Sequence, residues 1–140
     1  MNKRFILLLG SAFAGACGPA LCGDLHVVVT NVTPGKGTVR AALYDNAPTF
    51  LIKPKGAADV AGDKEKVELI FRDVPKGAYA VSAYQDTNGN KKLDSNSYGI
   101  PSEPYGMSRN AMGRGGPPSF DDAKVDVDAA GWTITVTLRK

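Results

Sequence analysis

Apolar and polar residues alternate along several short stretches of the chain, and this period of two is the pattern of a half-buried β-strand. These stretches are residues 24–32, 38–45, 66–74, 78–86, 123–128 and 132–139. In the last stretch one face carries only apolar residues: Trp132, Ile134, Val136 and Leu138. Each stretch is therefore predicted to form a strand with one face turned toward a core.

Beyond the N-terminus, no stretch of the sequence shows a sustained helical period. Short strands separated by turn-forming residues are typical of two packed sheets. The predicted fold class is therefore all-β: an immunoglobulin-like or transthyretin-like antiparallel β-sandwich with a long loop rich in Gly, Pro and Asn.

Two local features make this prediction more specific. The turn sequence PGKG, residues 34–37, lies between the first two stretches and predicts that they pair as a hairpin. The apolar face of Ile134 is predicted to lie between the two sheets, packed against Val27, Leu69 and Val81.

Two parts of the chain lack the alternation. Residues 46–63 are polar and turn-like, and they predict an irregular connection. Residues 86–122 are rich in Gly, Pro and Asn and far longer than ordinary connections. Loops of that length are usually functional, ligand-ordered or disordered, so this loop is the first place to look for chemistry.

The long loop begins within YQDTNGNKKLDSNSYGIP, residues 84–101, where oxygen-bearing side chains recur at short intervals. Counted from the first aspartate, they occupy the first, third, fifth and ninth positions of a calcium-binding loop, and a backbone carbonyl is expected at the seventh. A carboxylate further along the chain is an additional ligand candidate. The predicted calcium ligands are Asp86, Asn88, Asn90, Lys92 (through its carbonyl), Asp94 and Glu103.

Two positions depart from an EF-hand. Lys91 stands where glycine permits a sharp turn, and Ser97 stands where a bidentate glutamate is usual. A second interpretation needs no metal, because Asp and Asn also recur where they close Asx-turns. The spacing alone does not choose between these two interpretations.

Two further functions are alternatives to a structural cation site. One is a small hydrolase that uses Asp94 and Glu103 as its catalytic carboxylates. The other is a carbohydrate- or peptide-binding module without metal. Its platform would consist of Tyr98, Tyr105, Met107 and Phe120, although the same residues would serve equally well as anchors of the loop on the sandwich.

The N-terminal segment has the features of an export signal. The positive start MNKR precedes an apolar stretch, residues 5–16, that is too short and too rich in small residues to span a bilayer comfortably. Small residues then cluster as far as Ala20, which suits a signal peptidase. We predict a signal peptide over residues 1–22 and a single periplasmic or secreted domain over residues 23–140.

The net charge and Cys17 limit the classes of partner that the sequence predicts. The formal charge of +3 falls to +1 when Lys3 and Arg4 are removed (3 − 2 = 1). A chain so close to neutral is not expected to have a basic surface that binds nucleic acid. FAGAC, ending at Cys17, is a loose lipoprotein box, and a membrane partner is expected only if Cys17 is lipidated. The expected partner is an unknown protein, peptide or glycan ligand.

The order of these pieces resembles the bacterial family called domain of unknown function 2141. The resemblance rests on four stretches: VRAALYD (39–45), FRDVPKGAYAVSAYQDTNGNKKLD (71–94), YGIPSEPYGMS (98–108) and PPSFDDAKV (117–125). It implies a small exported β-sandwich protein with no established activity. The family adds no mechanism, so the expected function depends on the loop residues. We expect a non-enzymatic binding protein with a calcium-stabilised loop that presents residues 98–107 to its partner.

Two positions depart from the family pattern as the resemblance implies it. Gln85 stands where the family usually has histidine before the loop aspartate, so the resemblance gives no argument for a histidine-assisted site in this chain. Lys91 stands where the family usually has glycine. A left-handed backbone is expected there, and it is strained for a residue other than glycine.

Overall fold

A computed structural model describes residues 21–140, so nearly all of the predicted signal peptide lies outside the described residues. The strands are β1 (Cys22–Thr30), β2 (Thr38–Tyr44), β3 (Gly56–Ala61), β4 (Val67–Pro75), β5 (Gly77–Asp86), β6 (Tyr105–Met107), β7 (Val125–Val127) and β8 (Trp132–Thr137). Helical structure in this part of the chain is limited to a 3-10 turn, Ser108–Asn110, and a short helix, α1 (Phe120–Ala123). None of the described helices has the length and apolar character to cross a membrane.

The strands form two sheets that enclose one core. The first sheet has the order β4-β1-β8, and the second has the order β3-β2-β5-β6, with β7 paired along β5. All of the described strand pairs are antiparallel except β1 with β8. The predicted all-β sandwich is therefore confirmed, and the parallel β1–β8 pair is its one departure from antiparallel pairing.

The core lies between the sheets because each strand turns its apolar face inward. Leu25, Val27 and Val29 of β1 are fully buried, and they meet buried residues of the second sheet such as Val39 and Val81. Valine fills many of these positions, as expected where a branched side chain packs on a pleated surface.

The last strand follows its predicted face in part. Ile134 is 8% exposed and lies in the same core as Val27, Leu69 and Val81. Val27 is the neighbour of Ile134 on the adjacent strand of the same sheet, whereas Val81 belongs to the facing sheet. The prediction that Trp132 shares this buried face is wrong, since Trp132 is the first residue of β8, at the rim of the sandwich, and is 46% exposed.

The predicted hairpin of the first two strands is also wrong. β1 pairs with β4 and β8, whereas β2 pairs with β3 and β5 in the other sheet. Residues 31–37 carry the chain across the sandwich. Two amphipathic strands bury the same residues whether they pair edge to edge or face each other across a core, so their alternation does not distinguish the two arrangements.

Two strands form where the sequence predicts irregular structure. β3 lies within residues 46–63 and has the sequence GAADVA, which is poor in the branched and aromatic residues that favour strands. It forms along the edge of β2, which supplies its hydrogen-bonding partners. β6 lies within the long loop, residues 86–122, and forms in the same way along β5.

A second apolar cluster covers the outer face of the second sheet. Its buried members are Tyr44, Phe50, Ala80, Met107, Phe120 and Ala123. The Phe50 ring meets those of Tyr44 and Phe120 edge to face, at centroid distances of 5.3 and 5.9 Å. These contacts hold the two irregular segments, residues 46–55 and 108–124, against the sheet.

Strand β5 connects the two ends of the sandwich. Its ten residues span roughly 30 Å. At one end Asp86 lies beside Thr38 and opens the candidate loop. At the other end Gly77 pairs with Val127, next to the turn that leads into Trp132.

Candidate functional site

The candidate loop begins with a buried carboxylate. Asp86, the last residue of β5, is fully buried and lies on the outer face of the second sheet, beside Arg40. Its Oδ1 accepts a hydrogen bond from Gly89 N–H (2.9 Å), and its Oδ2 accepts one from Lys91 N–H (2.8 Å). The Arg40 Nε donates a third hydrogen bond at 3.3 Å. The hydrogen bonds from Gly89 and Lys91 to this one side chain therefore stabilise the turn of the backbone that follows β5.

These contacts also set the protonation state of Asp86. Burial raises the pKa of the Asp86 carboxyl, but the hydrogen bonds from Lys91 and Gly89 and the guanidinium of Arg40 together lower it by more. The net pKa lies below the ordinary value of 3.8. The folded state therefore favours the ionised form, which accepts all three hydrogen bonds.

The lowered pKa predicts a pH-dependent contribution of Asp86 to stability. A carboxyl whose pKa is lower in the folded state stabilises the fold above its unfolded pKa, and this stabilisation is lost as the pH falls through the folded pKa. The difference in free energy of unfolding between wild type and Asp86→Asn should therefore be full at neutral pH and shrink below about pH 3.8. Urea denaturation at a series of pH values measures it, with the exposed Asp63→Asn as the control for loss of one charge. A difference that stays constant down to pH 2 would contradict the assignment.

The next three predicted ligands converge on one another. Asp94 accepts a hydrogen bond from Asn88 Nδ2 on Oδ2 (2.5 Å) and one from Asn90 Nδ2 on Oδ1 (2.6 Å). Asn88 Oδ1 also accepts from Asn90 N–H (3.2 Å), and Asn90 Oδ1 accepts from Lys92 N–H (3.0 Å). The two asparagines thus close consecutive Asx-turns, as the metal-free interpretation of the spacing requires.

Glu103 joins the two ends of the same loop segment. It is 4% exposed, and its Oε1 accepts from the N–H and the hydroxyl of Thr87, at 3.0 and 3.2 Å. Its Oε2 accepts from Asp94 N–H at 3.0 Å. The carboxylate of Glu103 is therefore directed at donors of the loop, and it lies beside the backbone of Asp94.

The charges around these ligands have both signs. Lys91 has a left-handed backbone with φ of 62°, as expected where the family pattern places glycine. Arg40 is shared between the carboxylates of Asp86 and Asp59, the latter at 2.7 Å. In residues 21–140 no group of three or more His, Cys, Asp or Glu side chains is arranged to hold a metal ion, so a cation here would also need the amide oxygens of the asparagines.

Beyond Asp94 the loop forms a small hook, which we define as residues 95–101. Ser95 and Pro101 form an isolated antiparallel bridge at its base. Asn96 closes its bend, because Asn96 Oδ1 accepts from Tyr98 N–H (2.9 Å) and from Ile100 N–H (3.1 Å). Tyr98 is 86% exposed and Ile100 is 59% exposed.

The hook corrects the predicted aromatic platform. Of the four residues proposed for it, Tyr98 is exposed and Tyr105 is half-buried, whereas Met107 and Phe120 are buried in the second apolar cluster. A single platform of the four residues is therefore wrong. The alternative, that such residues anchor the loop on the sandwich, is correct for Met107 and Phe120.

A family model described as "Uncharacterized protein conserved in bacteria (DUF2141)" matches residues 27–135, which include nearly the whole sandwich and the complete loop. The chain belongs to this family. Neither the curated proteins nor the solved structures contain a match to the chain.

Gln85 is a buried polar residue beside the base of the loop. Gln85 is fully buried, its Oε1 accepts from Thr33 N–H (2.9 Å), and its Nε2 donates to the carbonyls of Thr33 (2.7 Å) and Lys36 (2.6 Å). This residue therefore holds the crossing segment, residues 31–37, beside the base of the loop. A glutamine at a buried position of an alternating strand is the sequence signal for such a role.

Proposed function

We propose that this member of the DUF2141 family is an exported, non-enzymatic β-sandwich protein whose loop is stabilised by calcium and presents the hook to a protein, peptide or glycan. The observation that carries the proposal is the contrast within the loop. Its base is held by two buried carboxylates, Asp86 and Glu103, whereas its tip leaves Tyr98 and Ile100 exposed. A firmly held loop that exposes apolar side chains is typical of a recognition surface.

The donor chemistry supports calcium as the stabilising ion. The side chains of Asn88 and Asn90 both lie within hydrogen-bonding distance of the Asp94 carboxylate, and all three carry an oxygen of the type that calcium prefers. Rotation of the two amides would turn their oxygens, in place of their nitrogens, toward the carboxylate of Asp94. Asp86 and the Lys92 carbonyl are the other ligands that we propose, with Glu103 as an outer carboxylate.

The same surroundings argue for weak binding. Arg40 already compensates the charge of Asp86, and the ammonium groups of Lys91 and Lys92 are exposed on the same loop. Both effects oppose the approach of a second cation. We therefore expect a dissociation constant on the order of 10⁻⁴ to 10⁻³ M, as in extracellular calcium modules.

A non-enzymatic role is part of the proposal. Glu103, one carboxylate of the hydrolase alternative, is buried and accepts three hydrogen bonds from the loop itself. Two cavities lie at the other end of the sandwich, around Trp132. Asp94 and Glu103 are therefore better suited to holding the loop than to acting on a substrate.

Export rests on the N-terminal segment. The basic start and the apolar stretch of residues 5–16 support a cleaved signal peptide and a periplasmic or secreted domain. Export would also place the loop where calcium is abundant enough to occupy a weak site. Lipidation at Cys17 would add a membrane anchor to the same domain.

Thermal unfolding in a chelator and in about 10 mM calcium tests whether calcium binds to the folded protein and stabilises it. With the expected dissociation constant, binding should stabilise the fold by about 1.4 to 2.7 kcal/mol and raise Tm by roughly 4 to 15 °C. Asp94→Asn should lose this rise, and Asp63→Asn and Tyr98→Ala should keep it. Melting in magnesium chloride at the same concentration controls for ionic strength.

Two outcomes would contradict the calcium site. If calcium leaves Tm unchanged and Asp94→Asn is equally destabilised in both buffers, the loop is a series of Asx-turns without a metal. If magnesium gives the same rise as calcium in wild type and in Asp94→Asn, the rise reports screening of charges.

A further inference from the structure

Trp132 is exposed at the end of the sandwich opposite the loop. It is the only tryptophan of the chain and is 46% exposed, whereas Ile134 and Val136, which follow it on the same strand face, are 8% and 0% exposed. Tryptophan is the side chain with the most apolar area to gain from being covered. Trp132 also lines concave surface, which is where ligand contacts are found.

The turn before Trp132 holds it in place. Gly131 has φ of 89°, and a Cβ at Gly23 would lie 2.4 Å from the Gly131 nitrogen, so this turn packs directly on the start of β1. Asp128 closes the turn, because its Oδ1 accepts from Ala130 N–H at 2.9 Å. The indole is therefore carried by backbone that has little room to move.

Two open cavities border Trp132. The first, about 560 Å³, contains Asp24 and His26, whose side chains are already engaged with Arg72 and Glu68. The second, about 570 Å³, has six charged or aromatic lining residues: Lys76, Arg109, Lys124, Asp126, Asp128 and Trp132. Both volumes fall in the range of small-ligand sites, on the order of 300 to 1,000 Å³.

The second cavity has basic groups available for a ligand. Within residues 21–140 the charged ends of Lys76 and Arg109 form no hydrogen bond or ion pair, whereas Lys124 Nζ is held by Asp121 at 2.9 Å. The cavity is therefore lined by three basic side chains and two acidic ones, Asp126 and Asp128. Asp128 already accepts a hydrogen bond from the turn. The cavity favours a ligand that carries a carboxylate together with uncharged polar groups.

We propose that the Trp132 cavity binds an acidic saccharide. One face of a pyranose ring presents C–H groups, which pack on the negatively polarised face of an indole. A uronic acid carboxylate would reach Lys76 and Arg109, and the ring hydroxyls would bond to Asp126 and to exposed backbone of the turn. This site is distinct from the hook and independent of the proposed calcium loop.

The edge of β8 favours a saccharide over an extended peptide. Thr137 N–H on this edge is already bonded to Asn110 Oδ1 at 3.0 Å, and the 3-10 turn, Ser108–Asn110, packs along the strand. The Thr137 N–H is therefore not available to a peptide, and the rest of this six-residue strand is too short to add a stable peptide strand.

Binding is measured on the folded domain by tryptophan fluorescence and calorimetry, with a galacturonic acid trisaccharide as the ligand. The corresponding galactose trisaccharide should bind about tenfold more weakly or not at all, because it lacks the carboxylates. Trp132→Ala should lose about tenfold or more in affinity by calorimetry, and Trp132→Phe should retain part of it. Lys76→Gln should weaken binding, whereas Lys64→Gln, the same change at the other end of the sandwich, should not.

Three results would overturn the proposal. They are equal binding of the acidic and neutral trisaccharides, unchanged affinity in Trp132→Ala, and full competition by a hexaglutamate peptide or by inorganic phosphate at the concentration of the saccharide. Circular dichroism and Tm of each variant establish that a lost signal does not come from unfolding. Asp94→Asn should bind the acidic trisaccharide normally, so failure of the calcium loop and failure of this site are separate results.

Discussion

Replacing Gly37 with alanine is expected to lower the free energy of unfolding by about 2 to 5 kcal/mol. Gly37 has φ of 63°, and an added Cβ would lie 1.9 Å from the carbonyl oxygen of Asp86. The neighbouring atoms belong to backbone, which cannot rotate away as a flexible side chain would. About 1 to 2 kcal/mol comes from the left-handed conformation, and the rest comes from displacing the end of β5.

Gly35 provides a matched control in the same segment. Its φ is 74°, and an added Cβ there would meet no atom within 4 Å. Gly35→Ala should therefore cost only the conformational part, about 1 to 2 kcal/mol. Urea denaturation of both variants in chelator measures the difference, and equal losses would mean that residue 37 does not approach Asp86 closely.

Replacing Ile134 with alanine is expected to lower the free energy of unfolding by about 2 to 5 kcal/mol, as other large-to-small changes in cores do. Ile134 is 8% exposed and contributes to the core shared by the two sheets. The loss combines the apolar area no longer buried with the cavity left beside Val27 and Val81.

Ile52→Ala makes the same chemical change outside the core. Ile52 is 80% exposed in the connection before β3, so its replacement should change the free energy of unfolding by less than about 0.5 kcal/mol. Chemical denaturation with fluorescence of Trp132 follows both variants. If Ile134→Ala lowers the free energy of unfolding by as little as Ile52→Ala does, the assignment of Ile134 to the buried face of β8 is wrong.

Much of the sandwich follows from local alternation. The inward faces of β1, β4, β5 and β8 are evident from the chain, since a strand with a period of two must bury one face against another layer. Trp132 is the exception on β8, because it continues the alternation at a point where the strand has reached the rim. Alternation specifies which side of a strand is apolar and not how far along the strand the core extends.

The sequence predicts which residue types of the loop lie together, but only some of their contacts. The spacing of Asp86, Asn88, Asn90 and Asp94 indicates oxygen-bearing side chains around one point. The side chains of Asn88 and Asn90 do meet that of Asp94, whereas Asp86 binds the backbone of Gly89 and Lys91. The role of Glu103 in joining Thr87 to Asp94 was less accessible, because it depends on how the chain returns after the hook. The contact of Arg40 with Asp86 could not be predicted from the sequence, because β2 and β5 become neighbours only in the folded sheet.

The strand character of the chain, its apolar faces and the position of the long loop follow from the amino-acid sequence alone. These properties depend on neighbours a few residues apart, where side-chain alternation and backbone sterics act. Long-range pairing in the folded chain decided that β1 and β2 lie in different sheets and that β3 forms on the edge of β2. It also decided that Trp132 stands exposed between two cavities, because pairing across the sandwich joins residues far apart in sequence, and their contacts are not encoded in any local pattern.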